Sequence, residues 1–463
     1  MAAAPPDRPI VLVSNRGPVS FDRADDGTLT SKRGAGGLVS GIGPIAAEGD
    51  VTWLAAAMSD DDRAAASEGV VEADGFRVRL LDLDPEAFRL AYEVVSNEVL
   101  WFAHHGLWDL TREPAFDAHW PDAWDAYRAV NHAFADAVAD TAPSGAAVLV
   151  QDYHLCLVAA RLRATRPDLT CVHFHHTPFA PPVWLRALPE AAVHELLAGL
   201  AAHRACGFHS QRWADDFRAS SHALAELDPP AFVAPLASDP ADIRAAAASP
   251  ECDAALASLE EVVQDRQVVG RVDRVELSKN ILRGFQAYGD LLEARPEHRE
   301  RVVFVAHAYA SRTHVPGYGA YREQIEHQVR GINDRFGTDS WQPILLDVED
   351  DFPRSVALLR RADVLLVNPI RDGLNLVATE GALVNERAGV LALSPEAGAW
   401  ERLGAAAVRT PPFDVAGTAR VLHEALVMPA EERADRASRL RAIAEARTPT
   451  HWLDDQLAAA GTH

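Results

Sequence analysis

Two basic residues of different kinds stand close together in the segment VDRVELSKN, where Arg274 precedes Lys279 by five positions. The chain holds only two lysines among its 44 basic residues, so a lysine at this place draws notice. Arginine presents a planar fork of donors and lysine a compact ammonium, and phosphate oxygens accept from both. The pair therefore predicts a site for a phosphate-bearing substrate, although two solvated surface cations would show the same pattern.

A predicted helix start follows in VNPIRDGLNLVATEGALVNE, where a strand ends at the Asn-Pro pair and a helix begins near Asn375. The first N–H groups of a helix lack intrahelical partners, and together with the helix dipole they bind phosphate. We expect a diphosphate on the amides around Leu376 and Val377. Glu380 could accept from two ribose hydroxyls, and Asp372 could accept from sugar hydroxyls. A plain turn followed by a solvated glutamate would look the same.

A glycine-rich turn stands in SKRGAGGLVSGI, where Gly34, Gly36 and Gly37 precede a predicted helix. Glycines let the backbone approach a ligand closely. The spacing is not GxGxxG and no acidic residue follows at the usual offset, so a dinucleotide cofactor is a weak interpretation. Arg16 and Arg33 add positive charge beside this turn.

Polar residues end another predicted strand in the segment QDYHL. Asp152, Tyr153 and His154 offer an acid, a hydroxyl donor and an imidazole base. In LAYEVVSNEVLWFAHHG, Tyr92 precedes Trp101 by nine residues. Aromatic faces pack on sugars, and their polar tips can bond a phosphate, but ordinary core packing is the simpler explanation for both rings.

Three histidines, His173, His175 and His176, lie in the strand end HFHHTPF. Strand alternation places the first two on one face and His176 on the other. Clustered imidazoles suggest a metal site, but no cysteine or glutamate completes a familiar ligand spacing. We therefore expect no metal, one histidine that donates to a sugar hydroxyl or a backbone carbonyl, and structural roles for the others.

These segments need a scaffold that brings strand ends together, and the order of elements predicts one. Apolar β-branched runs alternate with Ala/Leu/Arg-rich helical stretches, which predicts parallel α/β sheets with helices on both faces. Two doubly wound, Rossmann-like sheets follow each other, with a boundary near residue 235 in AFVAPLASDPADI. The expected domains are residues 1–235 and 236–440, with a C-terminal helix in 441–463 that packs back on the N-terminal domain. Ligands of such sheets bind at the carboxyl ends of strands, so a cleft between the two sheets is the expected site.

Composition narrows the functional classes. The net charge of −23 argues against non-specific nucleic-acid binding, but not against a small anion held in a local positive pocket. No apolar run reaches the roughly 20 residues that a membrane span needs, and no secretory signal is visible. The four cysteines show no CxxC spacing, which indicates reduced thiols and a cytoplasmic protein. The composition is compatible with both a monomer and a homo-oligomer.

Taken together and in this order, the motifs resemble those of the trehalose-6-phosphate synthase family, retaining glycosyltransferases of the GT-B fold. The matching segments cover both halves of the chain. They are SNR (14–16), AGGL (35–38), SNEVLW (96–101), DYHL (152–155), the HxPF run (176–179), VDRVELSK (272–279), SR (311–312) and DGLNLVATE (372–380).

The resemblance implies two sets of site residues. The donor set would hold the diphosphate, ribose, base and glucose of a nucleoside diphosphate glucose: Arg274, Lys279, Gly37, Asn375, the amides of Leu376 and Val377, Glu380, Phe352, His176 and Asp372. The acceptor set would hold a sugar phosphate: Asp152 on the sugar, Arg16, Tyr92, Trp101 and Arg312 on the phosphate, and Arg354 nearby.

The resemblance also implies the chemistry. Cleavage of the donor leaves negative charge on the β-phosphate, which the two cations and the helix start would stabilise. The leaving phosphate oxygen would take the acceptor proton on the same face of the sugar. No carboxylate nucleophile, metal or other cofactor would be required.

Departures from the family keep two alternatives open. The loop over residues 17–32 is longer and more acidic than usual, and HFHHT and LVNERAG replace more typical segments. A related pseudoglycosyltransferase couples a GDP-cyclitol to an amino-cyclitol phosphate through a C–N bond, and a non-catalytic sugar-phosphate sensor would lose the diphosphate residues. Arg274, Lys279 and Glu380 are all present, which favours the synthase. UDP and GDP both stay open as the donor nucleotide, with the composition leaning towards GDP.

Overall fold

The computed structural model describes residues 8–24, 26–34, 51–311 and 316–461 of the chain. The chain forms two compact units, one made of Met1–Leu236 with Pro449–His463 and the other of Ala237–Thr448. The sequence suggested a tail that begins at residue 441. The second unit instead continues through the helix Ala430–Glu445, so the segment that returns to the first unit begins later, at Pro449.

Parallel strands form the centre of the first unit. The described strands are β1 (Ile10–Val13), β2 (Val19–Arg23), β3 (Leu29–Arg33), β4 (Val51–Ala56), β5 (Val70–Ala73), β6 (Phe76–Leu81), β7 (Ala147–Gln151), β8 (Thr170–His175), β9 (Ala205–Phe208) and β10 (Ala231–Val233). Eight of them form one sheet in the order β10-β9-β8-β7-β1-β4-β6-β5, parallel except for the antiparallel pair of β5 and β6. β2 and β3 form a separate antiparallel hairpin, in the segment that the sequence suggested was a loop.

Helices connect these strands. The helices described in the first unit are Asp60–Ala66, Pro85–Arg89, Trp101–His105, Trp120–Thr141, Val158–Thr165, Pro182–Leu185, Glu190–Ala201, Gln211–Ala225 and Pro449–Ala459, with a 3₁₀ turn at Tyr153–Leu155. A π-helical segment, Leu90–Leu100, joins two of them and carries most of the SNEVLW motif. Among the described residues, no helix is long and apolar enough to cross a membrane.

The second unit has a fully parallel sheet. Its described strands are β11 (Gln267–Arg274), β12 (Val302–Tyr309), β13 (Ile344–Asp347), β14 (Val364–Val367), β15 (Val390–Leu393) and β16 (Val408–Arg409). They lie in the order β13-β12-β11-β14-β15-β16. This is the 3-2-1-4-5-6 order of dinucleotide-binding sheets, in which ligands bind where the order reverses, at the carboxyl ends of the first and fourth strands. In this unit those strands are β11 and β14.

Helices again follow the strands. Those described in the second unit are Pro240–Ala247, Pro250–Val263, Ile281–Ala294, Pro316–Phe336, Phe352–Arg361, Leu376–Val384, Trp400–Leu403, Val415–Leu426 and Ala430–Glu445, with 3₁₀ turns at Leu277–Lys279 and Pro296–His298.

Burial explains the strand sequences. β1, β4, β14 and β15 are buried along their whole lengths. Helices cover both faces of a parallel sheet, so its central strands carry unbroken apolar runs rather than alternating ones. The predicted α/β class, with a Rossmann-like sheet in each half, is confirmed. The rigid sheets present their polar strand ends at fixed positions.

Candidate active site

A lysine and an aspartate meet at the switch point of the second unit. Lys279 Nζ lies 2.6 Å from Asp372 Oδ2, and the two side chains are only 13% and 14% exposed. Burial favours the neutral amine, but the neighbouring carboxylates, Asp372 first among them, hold the pKa of Lys279 above its ordinary value. The structure thus joins two predicted site residues that stand 93 positions apart in sequence.

The helix Leu376–Val384 begins beside this ion pair. Asn375 precedes it in the left-handed region, at φ 77°, which asparagine tolerates better than most residues. Its side chain donates to Asp372 Oδ2 at 3.2 Å and accepts from the Ala378 amide at 3.3 Å. The helix therefore starts at Leu376 and Val377, next to the Lys279 ammonium, which is the arrangement expected for an anion site.

A second segment, not identified from the sequence, supports the turn that carries Asp372. The Asp372 amide donates to the Glu396 carbonyl at 3.0 Å, and the Gly398 amide donates to the Asp372 carbonyl at 3.0 Å. A Cβ on Gly398 would lie 2.0 Å from the carbonyl oxygen of Gly373, so only glycine fits there. The signal in the sequence was a single glycine in SPEAGAW, which has no spacing to mark its role.

Arg274 ends β11 with a partly exposed side chain. Its Nη1 lies 3.2 Å from Oε1 of the buried Glu276, which also accepts from Ser311 Oγ at 3.0 Å. One edge of the guanidinium is thus anchored while the side chain stays 46% exposed. Such a side chain can meet an incoming phosphate with little loss of conformational freedom.

Glu380 lies on the same helix, one turn beyond its start. Its Oε1 accepts from Ser238 Oγ at 3.2 Å, and burial raises the pKa of its carboxyl. Farther along the chain, Phe352 is 55% exposed at the start of its helix. Arg354 in that helix pairs with Asp347 at 2.7 Å and with Glu349 at 3.1 Å, so two carboxylates already hold its guanidinium.

In the first unit, an arginine and a tyrosine from distant segments meet. Arg16 follows β1, and its Nη2 donates to the Tyr92 hydroxyl at 3.1 Å. The guanidinium carbon lies 5.9 Å from the centre of the Tyr92 ring, and that ring stacks on His154 at 5.7 Å. Arg16 itself is exposed. The structure therefore joins two of the residues predicted to hold the acceptor phosphate.

Trp101 is itself a core residue, and it packs near the rings of His105 and Tyr153. Its side chain is 6% exposed, and its ring centre is 3.8 Å from that of His105 and 6.1 Å from that of Tyr153. Tyr153 in turn stacks on His154 at 4.1 Å. Packing of Trp101 therefore helps to place the DYHL segment.

Asp152 adopts an unusual backbone conformation, at φ 71° and ψ 168°. Its amide donates to the Phe174 carbonyl at 2.7 Å, and its Oδ1 accepts from the His176 amide at 3.2 Å. Such conformations cost about 1–3 kcal/mol and concentrate at functional sites. The ends of β7 and β8 hold this aspartate in place.

The His176 imidazole lies in a hydrogen-bonded chain. Its Nε2 is 3.0 Å from Gln151 Oε1, and the Gln151 amide donates to Gln456 Oε1 at 3.1 Å. Burial lowers the pKa of His176 to about 3, so the ring is neutral. Because an amide oxygen only accepts, the Nε2 carries the proton. Neither glutamine was identified from the sequence.

The other histidines of HFHHTPF pack among rings. His173 meets His203 edge-on at 5.2 Å, and His175 meets His104 at 4.6 Å. Burial holds the pKa of His173 and of His175 well below the ordinary value. Of the residues that the structure describes, one group could supply three metal ligands, and it contains none of these histidines: Glu297, His298 and His423.

Three residues that the sequence analysis singled out, Gly36, Gly37 and Arg312, lie outside the described residues, as does the AGGL motif.

Comparison with known proteins identifies relatives along nearly the whole chain. The model of glycosyltransferase family 20 matches residues 8–461. The trehalose-6-phosphate synthase of Mycolicibacterium smegmatis is 33% identical over 97% of this chain and 92% of its own length. The one from Mycobacterium sp. strain JLS is 32% identical over 96% of this chain and 95% of its own.

Solved structures give the same result. A trehalose-6-phosphate protein from E. coli bound with UDP-2-fluoro glucose superposes with a TM-score of 0.85 at 27% identity, over 98% of this chain and 99% of the other. The alpha,alpha-trehalose-phosphate synthase (UDP-forming) of Burkholderia xenovorans, in complex with glucose-6-phosphate, superposes with a TM-score of 0.84 at 26% identity, over 98% and 100%.

Proposed function

Because the chain belongs to glycosyltransferase family 20, we propose that it transfers glucose from a nucleoside diphosphate glucose to glucose 6-phosphate. The product is trehalose 6-phosphate, and the configuration at the donor anomeric carbon is retained. The reaction needs a site that stabilises a departing nucleoside diphosphate and a second site that holds a sugar phosphate.

The observation that supports this proposal best is the group at the switch point of the second unit. Lys279 is held by Asp372 at 2.6 Å, and the helix Leu376–Val384 starts next to them. An ammonium and a helix start favour the charge that appears on the β-phosphate as the bond to glucose breaks. Arg274, anchored on Glu276 but partly exposed, adds a second cation.

The hydroxyls of the transferred glucose and of the ribose need hydrogen-bonding partners that leave the charge balance at the breaking bond unchanged. Asp372 is proposed to offer its carboxylate to glucose hydroxyls while its Oδ2 keeps the contact with Lys279, and Glu380 is proposed to offer its carboxylate to the ribose. His176 stays neutral because burial holds its pKa to about 3. With its Nε2 proton directed at Gln151, the neutral ring can accept from a hydroxyl through Nδ1 without bringing a charge near the breaking bond. Asn375, Phe352 and Gly37 complete the proposed donor set.

The acceptor phosphate is the proposed ligand of Arg16 and Tyr92. Their contact at 3.1 Å pre-orders a guanidinium and a hydroxyl, both of which donate to phosphate oxygens. Trp101, Arg312 and Arg354 are the other residues proposed for the acceptor phosphate. Asp152 is proposed to bind the acceptor sugar. The acceptor hydroxyl then attacks the anomeric carbon, and its proton passes to the leaving phosphate oxygen on the same face.

UDP-glucose is the first donor to test. The E. coli structure contains a uridine diphosphate sugar and the Burkholderia synthase is UDP-forming. GDP-glucose, towards which the composition leaned, is the second donor. The C–N coupling alternative has no observation of its own among the described residues.

The test is incubation of the purified protein with glucose 6-phosphate and each donor, followed by mass spectrometry for a disaccharide phosphate. Digestion of the dephosphorylated product by an α,α-trehalase checks the stereochemistry. Absence of product with both donors would overturn the proposal. A parallel reaction with GDP-valienol and validamine 7-phosphate would reveal the C–N coupling activity instead.

A further inference from the structure

An arginine is buried beneath the segment that carries Lys279. Arg271 lies in β11 with a side chain that is fully buried. Its Nε donates to Asp273 Oδ2 at 2.9 Å, which gives an ion pair inside the second unit. Burial raises the pKa of the Asp273 carboxyl, and the Arg271 charge opposes that rise. Removing an arginine from water costs free energy that one ion pair need not recover. The further hydrogen bonds of Arg271 therefore indicate its role.

Arg271 reaches both strand ends at the switch point. Its Nη2 donates to the backbone carbonyl of Lys279 at 2.9 Å and also to Asn368 Oδ1, at the end of β14. A carbonyl bond fixes the backbone from which the lysine side chain extends. The bond to Oδ1 also fixes which way the Asn368 amide faces. One guanidinium therefore joins β11, the turn at Lys279 and the segment after β14.

The neighbouring helix makes room for this guanidinium. In Ile281–Ala294, a Cβ on Gly284 would lie 2.5 Å from Arg271 Nη1. Glycine inside a helix costs roughly 0.5–1 kcal/mol relative to alanine. A helix that keeps glycine where the arginine needs space indicates that the two positions depend on each other.

The rest of the turn is equally fixed. The Ile281 amide donates to the Tyr321 hydroxyl at 2.9 Å, and the Asn280 side chain donates to the Asn368 carbonyl at 2.9 Å. The Ile370 amide donates to the Ser278 carbonyl at 2.9 Å. Among these supports, Arg271 is the one that binds the backbone of Lys279 itself through a side chain.

We infer that Arg271 is a positioning residue for the transfer reaction, which acts through Lys279. From beneath the turn, its guanidinium fixes the Lys279 backbone so that the ammonium lies at Asp372 and beside the start of the helix Leu376–Val384. This inference rests on the proposed function, because Lys279 has a catalytic role only if a diphosphate departs there.

The chain contains a matched control. Arg361 and Asp363 form another buried arginine–aspartate pair with the same spacing, at 2.7 Å, just before β14. This pair stands at the amino end of its strand, whereas Arg271 reaches the carboxyl ends. Removal of either pair should affect stability, but only the Arg271 pair should affect catalysis through Lys279.

The test is a double-mutant cycle on kcat. The variant Arg271→Met/Asp273→Asn removes both charges of the pair and so leaves no unpaired buried carboxylate. We expect its kcat to fall about 10-fold or more, with a smaller change in the donor KM, because misplacement of a catalytic group acts mainly on the transition state. In a Lys279→Ala background, the same double substitution should change kcat by less than about 2-fold.

The control variant Arg361→Met/Asp363→Asn should change kcat by the same small factor in the wild-type and the Lys279→Ala backgrounds. If the Arg271 double substitution lowers kcat by the same factor in the wild-type and the Lys279→Ala backgrounds, Arg271 has only a structural role and the inference is wrong. Arg271→Lys keeps the charge and provides a milder variant should the double variant fail to fold, and the same cycle is measured with it. Wild-type protein that makes no trehalose 6-phosphate would instead overturn the proposed function, which separates the two failures.

Discussion

The ammonium of Lys279 and the carboxylate of Asp372 lie 2.6 Å apart with most of both side chains buried. A lysine so held is already charged and oriented before any substrate arrives. Little of its side-chain entropy then remains to be lost when a diphosphate binds.

Replacement of Lys279 by alanine should lower kcat by more than about 10-fold, because a stabiliser of the leaving group is lost. The chain offers a matched control in its only other lysine, Lys32, which is exposed in the β2–β3 hairpin. Steady-state kinetics with the active donor should show Lys32→Ala close to wild type. Equal rates for both variants would remove Lys279 from the site.

The substitution Gly398→Ala should impair catalysis more than folding. Its Cβ would lie 2.0 Å from the Gly373 carbonyl oxygen, so the turn that carries Asp372 must move. We expect kcat/KM for the donor to fall about 10-fold or more, since small displacements near the reacting groups are costly. Gly331→Ala is the control, because nothing lies within 4 Å of a Cβ there. A Gly398→Ala enzyme with wild-type kinetics would contradict the role given to this turn.

The variant Tyr92→Phe should weaken the acceptor site selectively. It removes the hydroxyl that accepts from Arg16 at 3.1 Å and keeps the ring that stacks on His154. An exposed hydrogen bond contributes about 0.5–1.5 kcal/mol, so KM for glucose 6-phosphate should rise roughly 2- to 10-fold. The donor KM should stay within about 2-fold of wild type, since the change removes no proposed donor contact. Initial rates at varied acceptor and donor concentrations measure both.

Acidification should destabilise the first unit. Burial lowers the pKa of His176 to about 3 and of His203 to about 4, whereas an unfolded histidine titrates near 6.5. Below pH 6.5 the unfolded chain therefore binds more protons than the folded one, and stability present at higher pH is lost as the pH falls towards the folded values. Each such group contributes up to about 1.4 kcal/mol per pH unit in that window. Urea unfolding at pH 7 and pH 5 tests this, and equal free energies of unfolding would contradict it.

The sequence identified the fold class because short, unbroken apolar runs such as β14 and β15 alternate with helical stretches, a pattern typical of buried parallel strands. It missed the hairpin of β2 and β3, whose polar residues alternate with few apolar ones, in a segment that looked like an acidic loop. It also gave no sign of the π-helical form of Leu90–Leu100, since the spacing of apolar residues does not separate that form from an α-helix.

Of the site, the sequence supplied polar residues in the turns that follow strands, such as Lys279 after β11 and Asp372 after β14. It did not supply Arg271, because one arginine inside an apolar strand carries no spacing that marks a partner. It likewise missed Gln151 and Gln456, which contact each other across 305 positions of sequence. Such partners follow from strand order and side-chain packing, which single motifs do not contain.

The helix Pro449–Ala459 belongs to the unit that Ile10–Val13 begins. Its Trp452 is fully buried and packs edge-on against Phe174. During translation, this helix leaves the ribosome only after every residue of the second unit. The first unit therefore lacks this helix, and the packing that Trp452 provides, until the more than two hundred residues of the second unit have been synthesised.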